Sequence, residues 1–231
     1  EVIRQPRLIA DMAPHRTLHT ALRAQLCEPK LVQLFGRYAT YVGGSPFASP
    51  AILALIWEAE AAGVWSVKGG MHRLAATLEA LAKARGAVFH YNTDVTGITK
   101  QGGRVTHVET TTETFPAAQV LFNGDPRALA TGLLGATAAS AVTEAATDPR
   151  SLSAHVMSFD AVPSGPPLAH HTVFFANNEQ AEFDALARGE TPTDATLYIC
   201  AQDYPAPATT RQRFEIIRNA PPNLPQNHEE K

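Results

Sequence analysis

Cysteine is scarce: the 231 residues hold only Cys27 and Cys200, and neither belongs to a C-x-x-C pair. That excludes a disulfide framework or a zinc knuckle, fits a reducing compartment, and leaves both as expected buried free thiols. Long apolar runs are missing as well. The longest, Ala51 to Trp57, falls far short of the roughly 20 residues that span a bilayer. No charged-then-apolar signal segment opens the sequence, so a soluble or peripheral protein is expected. Charge of one sign is also lacking, with 19 basic residues against 22 acidic ones and a net charge of −3. The basic residues are scattered, so nucleic acid is not an expected partner. No two glycines stand in G-x-G spacing, and there is no phosphate loop, no G-x-S-x-G elbow and no H-E-x-x-H pair.

What remains is a globular composition, 45% hydrophobic and 18% charged, long enough for one or two packed domains. Disorder, coiled coil and collagen are excluded. A helix-like stretch begins almost at once and no Met stands first, so the sequence reads as a piece of a longer protein. Thr17 is placed to cap a helix carrying Leu18, Leu22 and Leu26, and Pro29 is a first-turn proline before Leu31, Leu34, Phe35 and Tyr38. A tight turn at 41–47 precedes a helix from Ser49-Pro50 that carries Ile52, Leu55 and Ile56 and stops at Gly63. Val64 to Val67 alternates like a strand. Gly69-Gly70 then opens a helix in which Leu74, Leu78 and Leu81 share a face until Gly86.

From Ala87 the period changes to two. Strands are expected at Val88 to Tyr91, Val95 to Ile98, Val105 to Thr110 and Gln119 to Phe122, with Gly102-Gly103 as a turn and Asp125-Pro126 starting a short helix. Further strands are expected at Leu152 to Phe159, Thr172 to Phe175, Thr196 to Cys200 and Phe214 to Arg218, with one helix from Gln180 to Arg188. The tail from Ala220 is loose and rich in Pro and Asn. Runs of strands beside grouped helices give an α+β or mixed α/β class.

Self-sufficient catalytic constellations are absent. His15 and His19 read as a surface pair at a helix start, with no third ligand, and no metal is expected. His170 and His171 are adjacent on an extended segment, so they are expected to point to opposite faces with only one toward a pocket. Asp125 and Asp160 read as turn or cap residues.

Resemblance carries the reading further. Tyr41-Val42-Gly43-Gly44-Ser45-Pro46-Phe47, then Gly63-Val64-Trp65 and Lys68-Gly69-Gly70-Met71, resemble the middle of the bacterial carotenoid desaturases, the phytoene desaturase family of flavoproteins. Asn92 to Ile98 resembles a strand of that family and of the wider amine oxidase group. Phe122-Asn123-Gly124-Asp125-Pro126 resembles their V-x-S-N-A-D-P element, and Leu168-Ala169-His170-His171-Thr172-Val173 resembles their L-A-H-H-T-V stretch. These elements run in family order from about residue 31 to 218. The family's N-terminal G-x-G-x-x-G and its C-terminal flavin segment are not in the sequence, which marks an interior fragment truncated at both ends.

The resemblance implies an α/β, FAD/NAD(P)-binding Rossmann-like flavoprotein of the amine oxidase type with an α+β substrate domain. Residues 1–66 would be substrate-domain helices, 67–127 a returning part of the FAD-binding domain, and 128–231 the substrate-domain sheet and helices. FAD is the implied cofactor, with Gly69, Gly70, Val95, Asn123 and Gly124 on its side. The implied substrate is a carotenoid, lined by Tyr41, Phe47, Trp65 and His170. No residue is assigned a catalytic role, because no side chain accepts a hydride and the flavin supplies that capacity. Phe35-Gly36-Arg37-Tyr38-Ala39-Thr40 before Tyr41, with Trp57 and Met71, resembles the members that desaturate 1-hydroxy or methoxy carotenoids at the 3,4 position. Phytoene desaturation and a non-catalytic carotenoid-binding fragment are the alternatives. The implied location is the cytoplasmic face of a bacterial inner membrane, held peripherally by an apolar patch among residues 17–62, where Leu18, Leu22, Leu26, Ile52 and Ile56 recur, although a buried core stripe is the favoured reading for most of these.

Overall fold

Thr17 caps the first described helix as its position predicts: its Oγ1 accepts from the Thr20 amide at 3.2 Å, and helix α1 runs Leu18–Gln25. The computed structural model describes residues 15–207 and 209–222. The helix-like start of the sequence and most of the Pro/Asn-rich tail lie outside them. Helix α2, Pro29–Gly36, takes Pro29 in its first turn and is capped by the Glu28 carboxylate, which accepts from the Lys30 amide at 3.1 Å. The chain then tightens into a 3-10 helix, Arg37–Val42, and a second one, Ala51–Ala54, leads into helix α3, Leu55–Ala61.

These helices close around Leu18, Tyr38 and Ala39, with Leu22, Phe35, Leu53 and Ile56 packed against them. Leu18, Leu22 and Ile56 are therefore core rather than a membrane-facing patch; of that set Ile52 stays exposed. Backbone bonds tie the entry together: Leu18 N donates to Ser49 O at 2.8 Å and Ala51 N to Arg16 O at 3.0 Å.

The same unit contains an antiparallel sheet. Its strands are β4 (Ser153–Ala161), β5 (His171–Phe174), β6 (Leu197–Ala201) and β7 (Gln212–Ala220), in the order β4-β7-β6-β5. A helix, Glu179–Ala187, lies between β5 and β6 in the chain and buries Glu182, Phe183 and Leu186. Gly43 docks the first 3-10 helix onto the lead into β4. It has φ +66°, Leu152 N donates to its carbonyl at 2.7 Å, and a Cβ there would stand 2.7 Å from Ser151 Cβ. Only glycine takes this conformation freely and leaves room for the approach. This unit comprises the described residues up to Val64 and from Ser151 onward.

The second unit, Trp65–Arg150, holds helix α4 (Met71–Ala84) and a meander of β1 (Val95–Gln101), β2 (Arg104–Thr110) and β3 (Thr114–Pro116). Two short helices follow, α5 (Pro126–Ala130) and α6 (Ala136–Ala139); in chain order the helix at Glu179–Ala187 is thus α7. Ile98 of β1 forms a small core with Leu129 and Ala138, flanked by Val105, Phe122, Leu134 and Val142. Because α5 and α6 pack on β1, this unit continues past residue 127 to Arg150.

Three expected strands, at Val64 to Val67, Val88 to Tyr91 and Gln119 to Phe122, are not formed. A strand exists through its ladder partners, and none pairs with these segments among the described residues. Both observed sheets are wholly antiparallel, so the parallel sheet of a Rossmann-like domain is not present among the described residues. Cys27 is exposed in the α1–α2 link and Cys200 half-buried on β6, so neither is the buried thiol expected. Asp125 caps α5, accepting from Arg127 N at 3.0 Å, whereas Asp160 lies within β4 and pairs with Arg211 at 2.9 Å rather than forming a turn or cap.

Candidate functional site

In the first unit an open groove of about 1090 Å³ runs between the α2–α3 helices and one face of the sheet. That is just above the roughly 300–1,000 Å³ typical of ligand pockets. Period-two geometry decides which sheet residues face it. Val173, Tyr198 and Ile217 are successive cross-strand partners, and all three line the groove. The helices contribute Leu34, Phe35, Tyr41 and Trp57, with the Trp57 ring edge-on to Phe35 at 5.5 Å.

The polar groups in the groove are organised around Glu60 and His171. Glu60 accepts from Tyr38 Oη at 2.7 Å and from Tyr41 Oη at 3.3 Å. Burial, reinforced by the neighbouring carboxylate, pushes both phenols up, so both remain protonated donors. His171 Nδ1 lies 2.6 Å from Tyr198 Oη, and burial followed by the neighbouring His170 lowers the His171 pKa. Burial also pushes Tyr198 up to about 12. Beneath the groove Glu182, 1% exposed, accepts from Thr196 Oγ1 at 2.7 Å and from Asn219 Nδ2 at 3.3 Å. Desolvation lowers the Arg37 pKa, and the fields of Glu182, Tyr41, Tyr198 and Glu179 oppose that.

Of the four residues read from sequence as substrate-lining, Tyr41 lines this groove. Phe47 packs between His19 at 4.5 Å and Phe183 at 6.0 Å and is not among the lining residues. Trp65 is 87% exposed at the start of the second unit. His170 is held by the Ala201 carbonyl at 2.8 Å, and it is His171 that lines the groove. The two rings do not point to opposite faces, since their centroids are 4.3 Å apart. His170 sits in a bend before β5, where the strand period does not yet apply. Sequence reasoning missed Glu60, Tyr198 and Asn219, which carry no local signal: Glu60 shares its helix with Glu58, and Asn219 follows Arg218 in a strand that also holds Glu215.

The residues read as flavin-side lie in the second unit. Gly69 and Gly70 have φ +88° and +86°, and Gly70 is the N-cap of α4 with no side-chain cap and open space where a Cβ would stand. The Arg73 amide already donates to the Gly70 carbonyl at 3.0 Å, which leaves the Met71 and His72 amides for an acceptor and fits a backbone contact to a flavin. Val95 and Asn123 are exposed, which also fits. Gly124 has a different reason to be small: a Cβ there would stand 2.5 Å from the Phe122 ring.

Residues 9–202 match the family model described as flavin containing amine oxidoreductase. The chain is 49% identical to hydroxyneurosporene desaturase of Cereibacter sphaeroides, over 99% of this chain and 47% of that protein. It is 46% identical to hydroxyneurosporene desaturase of Rhodobacter capsulatus, over 95% and 45%. To 1-hydroxycarotenoid 3,4-desaturase of a Flavobacterium species it is 34% identical, over 87% and 42%. The chain thus spans about half the length of the relatives it matches. A match over most of the sequence, at this identity, places the chain in the flavin-containing amine oxidoreductase family, with carotenoid desaturases among its relatives.

Proposed function

We propose that the protein carrying this chain is an FAD-dependent oxidoreductase that introduces a C=C bond into an acyclic carotenoid, by 3,4-desaturation of a 1-hydroxy or methoxy carotenoid. The observation that carries this reading is the 49% identity to a hydroxyneurosporene desaturase along nearly the whole chain. The groove supports it in kind. Forming a C=C bond in an unactivated polyene removes two hydrogens and two electrons, and FAD supplies the acceptor that side chains lack. The chain's own contribution is positioning. Leu34, Phe35, Trp57 and Val64 offer apolar and aromatic surface to a polyene, while Tyr41, His171 and Tyr198 give the same groove hydrogen-bonding groups for a polar end.

In this reading the first unit is the substrate domain, and Trp65–Arg150 belongs to the flavin side, where Gly69, Gly70, Val95 and Asn123 approach the cofactor. Gly124 belongs there through its packing against Phe122. The protein meets its substrate at the cytoplasmic surface of a bacterial inner membrane. A C40 hydrocarbon partitions into the bilayer, no described helix is long and apolar enough to cross a membrane, and Val42, Trp57 and Val64 are exposed at the groove. Expression of the full-length gene in cells that make neurosporene or its 1-hydroxy derivative tests the activity. A product lacking two hydrogens and absorbing at longer wavelength supports the proposal. Conversion of phytoene alone would favour phytoene desaturation, and no conversion of either would favour a binding role.

A further inference from the structure

We propose that His170, His171 and Cys200 form a three-ligand site for a divalent transition-metal cation of the zinc type, with an open fourth position beside the groove. No metal was expected from the sequence, in which Cys200 stands 30 and 29 residues from His170 and His171. The fold removes that separation. His171 and Cys200 are direct cross-strand partners of β5 and β6, so their side chains leave the same face of the sheet. The bend before β5 then brings the His170 ring against His171. One ligand atom from each of the three residues lies within 4.8 Å of the others. Tetrahedral ligands at zinc stand roughly 3.3–3.6 Å apart, given bonds of about 2.0–2.3 Å, so closure needs side-chain movement of about 1 Å.

The surrounding hydrogen bonds suit a ligand set. A carbonyl oxygen only accepts, so the 2.8 Å contact to Ala201 O fixes the proton of His170 on Nδ1 and leaves a lone pair on Nε2. Tyr198 Oη lies 2.6 Å from His171 Nδ1 and, as a hydroxyl, can accept from an Nδ1–H, the tautomer in which the His171 Nε2 carries the lone pair. Metal-bound histidines commonly have their other nitrogen held by an outer partner of this sort. Glu215 faces Cys200 across the β6–β7 ladder and adds negative charge on the same face. Two imidazoles and a thiolate select zinc-like or softer ions over magnesium or calcium. With three protein ligands the fourth position is left to water or an oxygen donor. The proposed desaturation uses neither Cys200 nor a metal and shares only His171 with this site, so zinc binding at Cys200 is read independently of activity.

Cys27 provides an internal control, because it is exposed and outside the cluster. The full-length protein, stripped with a chelator, is alkylated with iodoacetamide with and without Zn²⁺, and each cysteine is followed by peptide mass spectrometry. Zinc should slow alkylation of Cys200 at least tenfold and leave Cys27 unchanged, and competition with a chromophoric chelator should show that one equivalent is lost in His171→Ala and in Cys200→Ser. His170→Ala provides a further variant if either of these fails to fold, judged by circular dichroism. Equal reactivity of Cys200 with and without zinc, or the same zinc equivalent retained in the folded variants, overturns the proposal.

Discussion

Glu60 is the acceptor that holds two groove tyrosines, and the bonds differ in consequence. Tyr38 is buried and its 2.7 Å bond goes to a carboxylate, whereas Tyr41 is mostly exposed and reaches the same group at 3.3 Å. Hydrogen bonds to charged groups contribute about 1.5–3 kcal/mol when one partner is removed from a buried setting. Tyr38→Phe is therefore expected to destabilise the protein by about 2 kcal/mol in denaturant titration, and Tyr41→Phe by less than half of that. Glu179 is a second residue with a legible consequence. Burial, with the charge of Glu182 beside it and against the pull of Arg37, raises its pKa from 4.5 to about 7. A carboxyl raised in the folded state is held protonated there, so its stabilising contribution is full below its unfolded pKa. It is lost as pH rises through about 7. The thermal midpoint of the intact protein should accordingly fall across that window, and Glu179→Gln should flatten the slope; an unchanged slope would contradict this assignment.

At the scale of elements, the amphipathic helices were legible because their signals are local. Thr17 starts its helix by a bond to the Thr20 amide, and Pro29 takes a first-turn position where its missing N–H is no loss, each where its place in the sequence indicates. The strands at Val64, Val88 and Gln119 were misread for the opposite reason, since pairing is a property of neighbours and not of a segment. Helix α4 carries a similar message: Leu74, Leu78 and Leu81 keep its expected apolar stripe, yet Leu78 remains 58% exposed, as does Met71 in the first turn at 68%. The groove was only partly legible. Tyr41 could be found from its sequence neighbourhood, but Tyr198 and His171 meet only through the β5–β6 register, and Glu60 reaches Tyr38 from a different helix. Gly43 joins helix to sheet and offers a test at this scale. Gly43→Val places a β-branched residue at φ +66° with its Cβ directly against Ser151. A loss above about 2 kcal/mol is expected, from left-handed strain of about 1–2 kcal/mol plus the steric clash.

For the whole molecule, the proposed activity demands that a water-insoluble rod reach a groove whose exposed lining includes Trp57 and Val64. In that proposal apolar contact with a bilayer is the expected route, because this chain's net charge is only −3. The full-length protein should co-sediment with liposomes and remain bound in high salt; binding abolished by salt would indicate charge instead. The most direct measurement of the central claim is a single-turnover reaction of the purified full-length flavoprotein with a 1-hydroxylated acyclic carotenoid under anaerobic conditions. The account predicts bleaching of the flavin absorbance together with one equivalent of a carotenoid lacking two hydrogens, and both effects weakened when Tyr41 or Trp57 is replaced by Ala. A flavin that stays oxidised while the carotenoid is recovered unchanged would contradict it.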